Sequence, residues 1–205
     1  MTLDGALETH FHRSPSLLGY RAFQNVLPSV LTSARIMAES SLMHFGSQMV
    51  EFLSAAKGDD ALAGQATRQP LAESVPLVGN SIQHHFGQVA QIYQRKFRYM
   101  VASRQGTAVP LSTDLRTLNR AGQSMTSQNF VYLTMRKAAL DLFNEVQMNL
   151  LRLDGHETAQ IVTLSADSEN NGRQIALVDG LELPTYLDLA DEVFHPRSTA
   201  VVGAV

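Results

Sequence analysis

The chain contains no cysteine. That absence excludes disulfides, thiolate metal sites and cysteine nucleophiles together, and it is compatible with a reducing cytoplasm. Tryptophan is also missing, and aromatic residues make up only 7% of the chain. A core without large rings leans on Leu, Met, Ala and Val, which suits helix-on-helix packing where flexible side chains fill irregular gaps. The formal net charge is -3, too small for the whole molecule to match a polyanion or a polycation. No run approaches the roughly 20 uninterrupted apolar residues of a membrane span. The opening Met1-Thr2-Leu3-Asp4-Gly5 is acidic and has no basic region followed by an apolar run, so no secretory leader is expected. The phosphate-binding patterns Gly-x-Gly-x-x-Gly and Gly-x-x-x-x-Gly-Lys-Ser/Thr do not occur, and neither does Gly-x-Ser-x-Gly or His-Glu-x-x-His.

What is present is a 205-residue chain that is 44% hydrophobic. That is enough for one large domain, or for a domain with an appendage. Pro15, Gly19 and Pro28 punctuate residues 1–28, which read as an N-terminal arm with one short helix near Leu17–Leu27. A first long helix is expected from about Ser29 to Ala56. Its apolar seam is Leu31, Ala34, Ala38, Leu42, Phe45, Met49, Phe52 and Ala56, spaced three and four apart as in a coiled coil. Gly46 within it marks a close helix approach. Lys57-Gly58-Asp59-Asp60 ends it with a cation and a glycine suited to the left-handed cap.

Pro70 and Pro76 make residues 57–76 read as a connector, with room for a short helical turn at Ala61–Arg68. A second helix is expected from about Leu77 to Arg104, with a seam of Val78, Ile82, Phe86 (or His85), Val89, Tyr93, Lys96 and Met100. A third is expected from Ser112 or Thr113, good capping residues, to Leu153. The polar Ser124–Asn129 stretch favours a kink or break, and Asp154-Gly155 closes the helix. This would be the longest of the three, so part of its stripe would lack a partner within the chain. The helices of residues 29–154 are expected to form an antiparallel bundle or coiled coil.

Beyond Gly155 the period changes. Gln160–Leu164 and Gln174–Val178 flank Asn170-Asn171-Gly172, the strongest short hairpin signal available. Pro184 opens a short acidic helix over 184–194, and the small apolar tail Ser198–Val205 reads as disordered or docked on a partner. Residues 155–205 are thus a C-terminal hairpin, short helix and tail. The fold class expected is mainly α, with a small C-terminal β-hairpin.

Candidate chemistry is sparse. His10 and His12 are two apart and His84 and His85 are adjacent, whereas two ligands on one helix face need a separation of three or four. His156-Glu157 has no second ligand nearby. Ordinary surface histidines are the simpler reading. Asp167-Ser168-Glu169-Asn170-Asn171-Gly172 imitates the start of a calcium loop, but the bidentate Glu of its twelfth position is Val178 here. A hairpin turn explains the same residues. No metal, cofactor or catalytic residue is expected.

Arg95, Lys96, Arg98 and Arg104, interleaved with Tyr93, Phe97 and Tyr99, could hold phosphates while the rings stack on bases. The ordinary end of an amphipathic helix shows the same pattern, so nucleic acid is not the expected partner. The apolar helix faces remain. Their bland reading is an intramolecular core. Their functional reading is a stripe of Leu42, Phe45, Met49 and Phe52 on the first helix and Phe86, Val89 and Tyr93 on the second. Such a stripe would meet another copy, another protein or a hydrophobic surface.

Residues of about 30–104 resemble the phasins, small proteins that coat bacterial polyhydroxyalkanoate granules. The resembling text is Met43-His44-Phe45-Gly46-Ser47-Gln48-Met49-Val50-Glu51-Phe52-Leu53-Ser54-Ala55-Ala56, a small-residue connector, and Gln91-Ile92-Tyr93-Gln94-Arg95. Phasins are richer in Ala and in Lys and Glu, and the proline-bearing connector and C-terminal hairpin are not part of their pattern. The resemblance implies a non-catalytic, cytoplasmic or granule-attached coat protein, oligomeric and without catalytic residues. Two alternatives stand beside it: a self-assembling coiled-coil adaptor for another protein, and a nucleic-acid-associated helical protein.

Overall fold

The computed structural model describes residues 17–102, 116–118, 124–165 and 168–205. In order these form α1 (Leu17–Lys57), α2 (Asp60–Ala102), β1 (Arg116–Leu118), β2 (Ser124–Thr126), α3 (Ser127–Leu153), β3 (Thr158–Val162), β4 (Gln174–Ala176) and β5 (Val201–Gly203). The protein is mainly helical, with a small antiparallel three-stranded sheet. It divides into two compact units, residues 1–38 with 79–132 and residues 39–78 with 133–205.

The helix ends follow local chemistry. Gly58 at φ 71° takes the left-handed cap of α1, and its N–H donates to Ser54 O at 2.8 Å. The next residue, Asp59, opens α2: its Oδ1 accepts the Leu62 N–H at 2.9 Å, the bond of an N-cap. Two residues therefore turn the chain back on itself. Gly46 of α1 is buried, and a Cβ there would lie 2.7 Å from Leu71 Cδ1 of α2. The close approach expected at Gly46 is present. At the other end of the chain Gly155, φ 85°, ends α3. Its N–H reaches Arg152 O at 3.0 Å while the His156 N–H reaches Leu151 O at 2.9 Å, the paired bonds of a Schellman cap.

Three boundaries differ from expectation, and proline accounts for two. Pro28 lies inside α1, which begins at Leu17 rather than Ser29. Pro70 and Pro76 lie inside α2, so 57–76 is not a connector. A proline removes one helical hydrogen bond and leaves the carbonyl four residues earlier without its donor. For Pro70 that carbonyl is Ala66 O, and Asn149 Nδ2 of α3 donates to it at 3.1 Å. The third difference is α3. It starts at Ser127, inside the stretch where a break was expected, and has 27 residues against 41 for α1 and 43 for α2. It is the shortest helix, not the longest, so an uncovered stripe cannot be argued from its length. Residues 116–118 and 124–126, expected to be helical, pair as strands with Thr117 opposite Met125.

The second unit contains an apolar core cluster. Met148 and Leu151 of α3 pack with Ala159, Ile161, Ile175, Leu177, Leu189, Phe194 and Val202. The expected hairpin is present: Ala159 faces Ile175 across an antiparallel ladder, and burial alternates along β3 as period two requires. Near its turn Gly172 and Arg173 together oppose Ile161, with Gly172 N–H to Ile161 O and Ile161 N–H to Arg173 O both at 2.8 Å. Gly172, at φ 79°, suits the first position of such a bulge. The tail is neither loose nor waiting for a partner, because Val201–Gly203 pairs with β3 on its other edge. Residues 184–194 form successive turns in place of the expected helix.

Candidate functional site

The second unit carries a cleft of about 310 Å³ between α2, α3 and the segment after β4. That lies at the low end of the size range of small-molecule pockets. Gln69 and Glu73 line it from α2, Glu145, Asn149 and Arg152 from α3, and Leu187 from the far wall. Its donors are directed into the framework. Gln69 Nε2 donates to Glu73 Oε1 at 2.9 Å, Asn149 Nδ2 to Ala66 O, and Arg152 Nε to Leu177 O at 2.8 Å. Burial, then the neighbouring Asp141 and Glu73, push the Glu145 carboxyl above its ordinary value. The lining thus sets the acceptors of Glu73, Glu145 and Asp179 beside the Arg152 guanidinium.

Behind the cleft wall a polar chain runs inward from a part-exposed ion pair to a buried amide. Asn144 is wholly buried. Its Oδ1 accepts the Val202 N–H at 3.0 Å, and its Nδ2 lies 3.4 Å from Tyr186 Oη. Tyr186 donates to Asp141 Oδ1 at 2.6 Å, and Asp141 pairs with Lys137 one turn earlier on α3. Burial and the Asp141 carboxylate raise the Tyr186 pKa, so the phenol stays protonated and remains a donor. This chain ties the outward backbone of β5 to α3.

The first unit buries a histidine. His85 is 2% exposed. Its Nε2 lies 3.2 Å from Ser127 Oγ, and its ring stacks on Phe130 at 3.9 Å and meets the edge of Phe86 at 5.6 Å. Desolvation, then the charge of His84, lower its pKa from 6.5 to about 4. A hydroxyl against a neutral imidazole is half of a nucleophile–base arrangement. Here both partners are buried and the imidazole is covered by aromatic rings, which is the environment of a packed polar core. Sequence reading placed His85, buried here, as an ordinary surface histidine beside His84 or as an alternative to Phe86 in a seam. It gave no signal for Ser127, because the pairing joins segments far apart in the chain.

The residues singled out from sequence do not gather into one exposed face. Leu42 and Met49 are buried in the second unit, Phe45 is half-buried and Phe52 is 67% exposed. Phe86 and Val89 are buried in the first unit, and the Tyr93 side chain lies outside what is described. Of the basic stretch, Arg95 is exposed, the side chains of Lys96 and Arg98 fall outside the description, and Arg104 lies outside the described residues. His44 and His84 are exposed and line no part of the cleft, and His10 and His12 lie outside the described residues. Among the described residues no three of His, Asp and Glu converge as a metal site requires. None of the described helices is long and apolar enough to cross a membrane. Fold and site together define a mainly helical protein with a small sheet and a polar cleft. Compared with known protein families, curated proteins and solved structures, the chain matches none of them.

Proposed function

We propose that this protein is a non-catalytic structural protein of phasin type, one that lays amphipathic helices on a hydrophobic surface. The observation that carries this reading is the width of the apolar stripe on α1. At about 100° per residue, Leu42, Met49 and Leu53 share one face, and all three are buried. Phe45 and Phe52 flank that face on one side and Met43 on the other. Phe52 remains 67% exposed and Met43 54%. The helix therefore carries more apolar surface than the described residues cover, the property that drives adsorption or assembly. In this reading α1 and α2 act as an antiparallel helical bundle, the protein is oligomeric, and the surface is that of a cytoplasmic granule. A self-assembling adaptor would use the same flanks against a protein.

Light scattering on the purified protein, with and without hydrophobic polyester particles, separates the two. Wild type should form a modest oligomer and be depleted onto the particles. Phe52→Asp should lose most of that depletion while keeping its circular dichroism. A discrete oligomer that ignores the particles would retire the coat reading in favour of the adaptor.

A further inference from the structure

The turn that joins β3 to β4 contains the chain's sole Asn-Gly pair, Asn171-Gly172. In such a pair the glycine backbone nitrogen can attack the side-chain carbonyl carbon of the asparagine, because no Cβ stands in the way. The Gly172 N–Asn171 Cγ bond forms, the Cγ–Nδ2 bond breaks and ammonia leaves. Water then opens the cyclic imide to aspartate or isoaspartate, so the net change is amide plus water to carboxylic acid plus ammonia. Both residues are exposed, so water reaches them.

In the closed turn both reacting groups are engaged elsewhere. The Gly172 N–H donates to Ile161 O at 2.8 Å. Asn171 Oδ1 accepts the Thr163 N–H at 3.0 Å, which ties the carboxamide to the end of β3. The turn itself is pinned by Asn171 N–H to Ser168 O at 2.9 Å and Arg173 N–H to Asn170 O at 3.2 Å. We propose that Asn171 is a deamidation site gated by this turn. The closed turn suppresses imide formation, and the reaction proceeds through the fraction of molecules in which the turn has opened. Isoaspartate adds a carbon to the backbone where Gly172 and Arg173 jointly face Ile161. The modified turn then cannot restore both bonds to Ile161, and the β3–β4 pairing weakens. The modification converts turn opening into a permanent loosening of the sheet.

The test incubates the full-length protein at mildly alkaline pH, folded and urea-unfolded, and follows residue 171 by peptide mapping and mass spectrometry. The unfolded chain should deamidate at Asn171 at least about thirtyfold faster than the folded one, the ratio set by the open population. Thr163→Pro, which deletes the donor to Asn171, should move the folded rate toward the unfolded one. Folded and unfolded rates within about threefold of each other, or conversion of other asparagines while Asn171 stays intact in urea, overturn the proposal. A folded Thr163→Pro chain as slow as wild type overturns it too. If that variant fails to fold, the wild-type comparison decides.

Discussion

The two units bury polar groups by opposite means. In the first unit His85 enters the interior by giving up its charge: rings cover it, and desolvation keeps it neutral. In the second, polar groups are linked inward from the part-exposed Lys137–Asp141 pair. Lys137, Asp141, Tyr186, Asn144 and the Val202 N–H form a chain in which each group satisfies the next. The first solution depends on pH. The second joins α3 to a strand that lies 58 residues away along the chain from Asn144, and it holds only if every member stays in place.

Removing a link of the second kind should cost the most. Asn144→Ala leaves the Val202 N–H without its acceptor in a wholly buried position and opens a small cavity. Urea unfolding should show a loss of about 3–4 kcal/mol. A loss near that of a surface substitution would mean that water replaces the amide, and the contrast between the units would fade.

The first kind of burial should reveal itself through pH. His85 has a folded pKa of about 4 against an ordinary 6.5. Above 6.5 both states are neutral and stability is full. Between 6.5 and 4 the unfolded chain takes up a proton that the folded chain refuses, so stability falls as pH falls, and below 4 the loss is complete. The total is at most about 3 kcal/mol. The comparison to make is wild type against His85→Leu: the variant should lack this part of the acid slope. Equal slopes in both proteins would assign the acid sensitivity to other groups.

A smaller effect should sharpen the role of linkage in the second unit. Asn149→Ala removes the donor that replaces the missing Pro70 N–H at Ala66 O, at a cost of about 1–2 kcal/mol. In a Pro70→Ala background residue 70 regains an N–H for that carbonyl, and the same substitution should cost clearly less. The double-mutant cycle reads the difference directly. Independent costs in the two backgrounds would show that Asn149 stabilises through its other bond, the one from Arg152 Nη1 to Asn149 Oδ1 at 3.0 Å.

Where a structural decision depends on a few adjacent residues, it was legible in advance. Lys57-Gly58 and Asp154-Gly155 ended helices as capping chemistry requires, and Asn171-Gly172 marked a turn between two strands, whereas the helix that Asp59 opens was read as a connector. The mainly helical class followed from the three-and-four spacing of apolar residues. The candidate site was far less legible. The cleft draws on residues 69 to 187, and the His85–Ser127 pair spans 42 residues. No periodicity connects such positions.

By itself, then, the sequence determined the helical class, the caps at Gly58 and Gly155, and the β3–β4 hairpin, because each rests on backbone preferences expressed within a few residues. Only the tertiary structure decided that α2 runs through Pro70, that the tail is a strand and that Leu42 faces inward while Phe52 does not. The physical reason is the same in the first two cases. A proline in a helix and a strand of only three residues are both unstable on their own. Each is stabilised by an amide on α3, Asn149 for Ala66 O and Asn144 for the Val202 N–H, supplied from a part of the chain that local reading cannot reach.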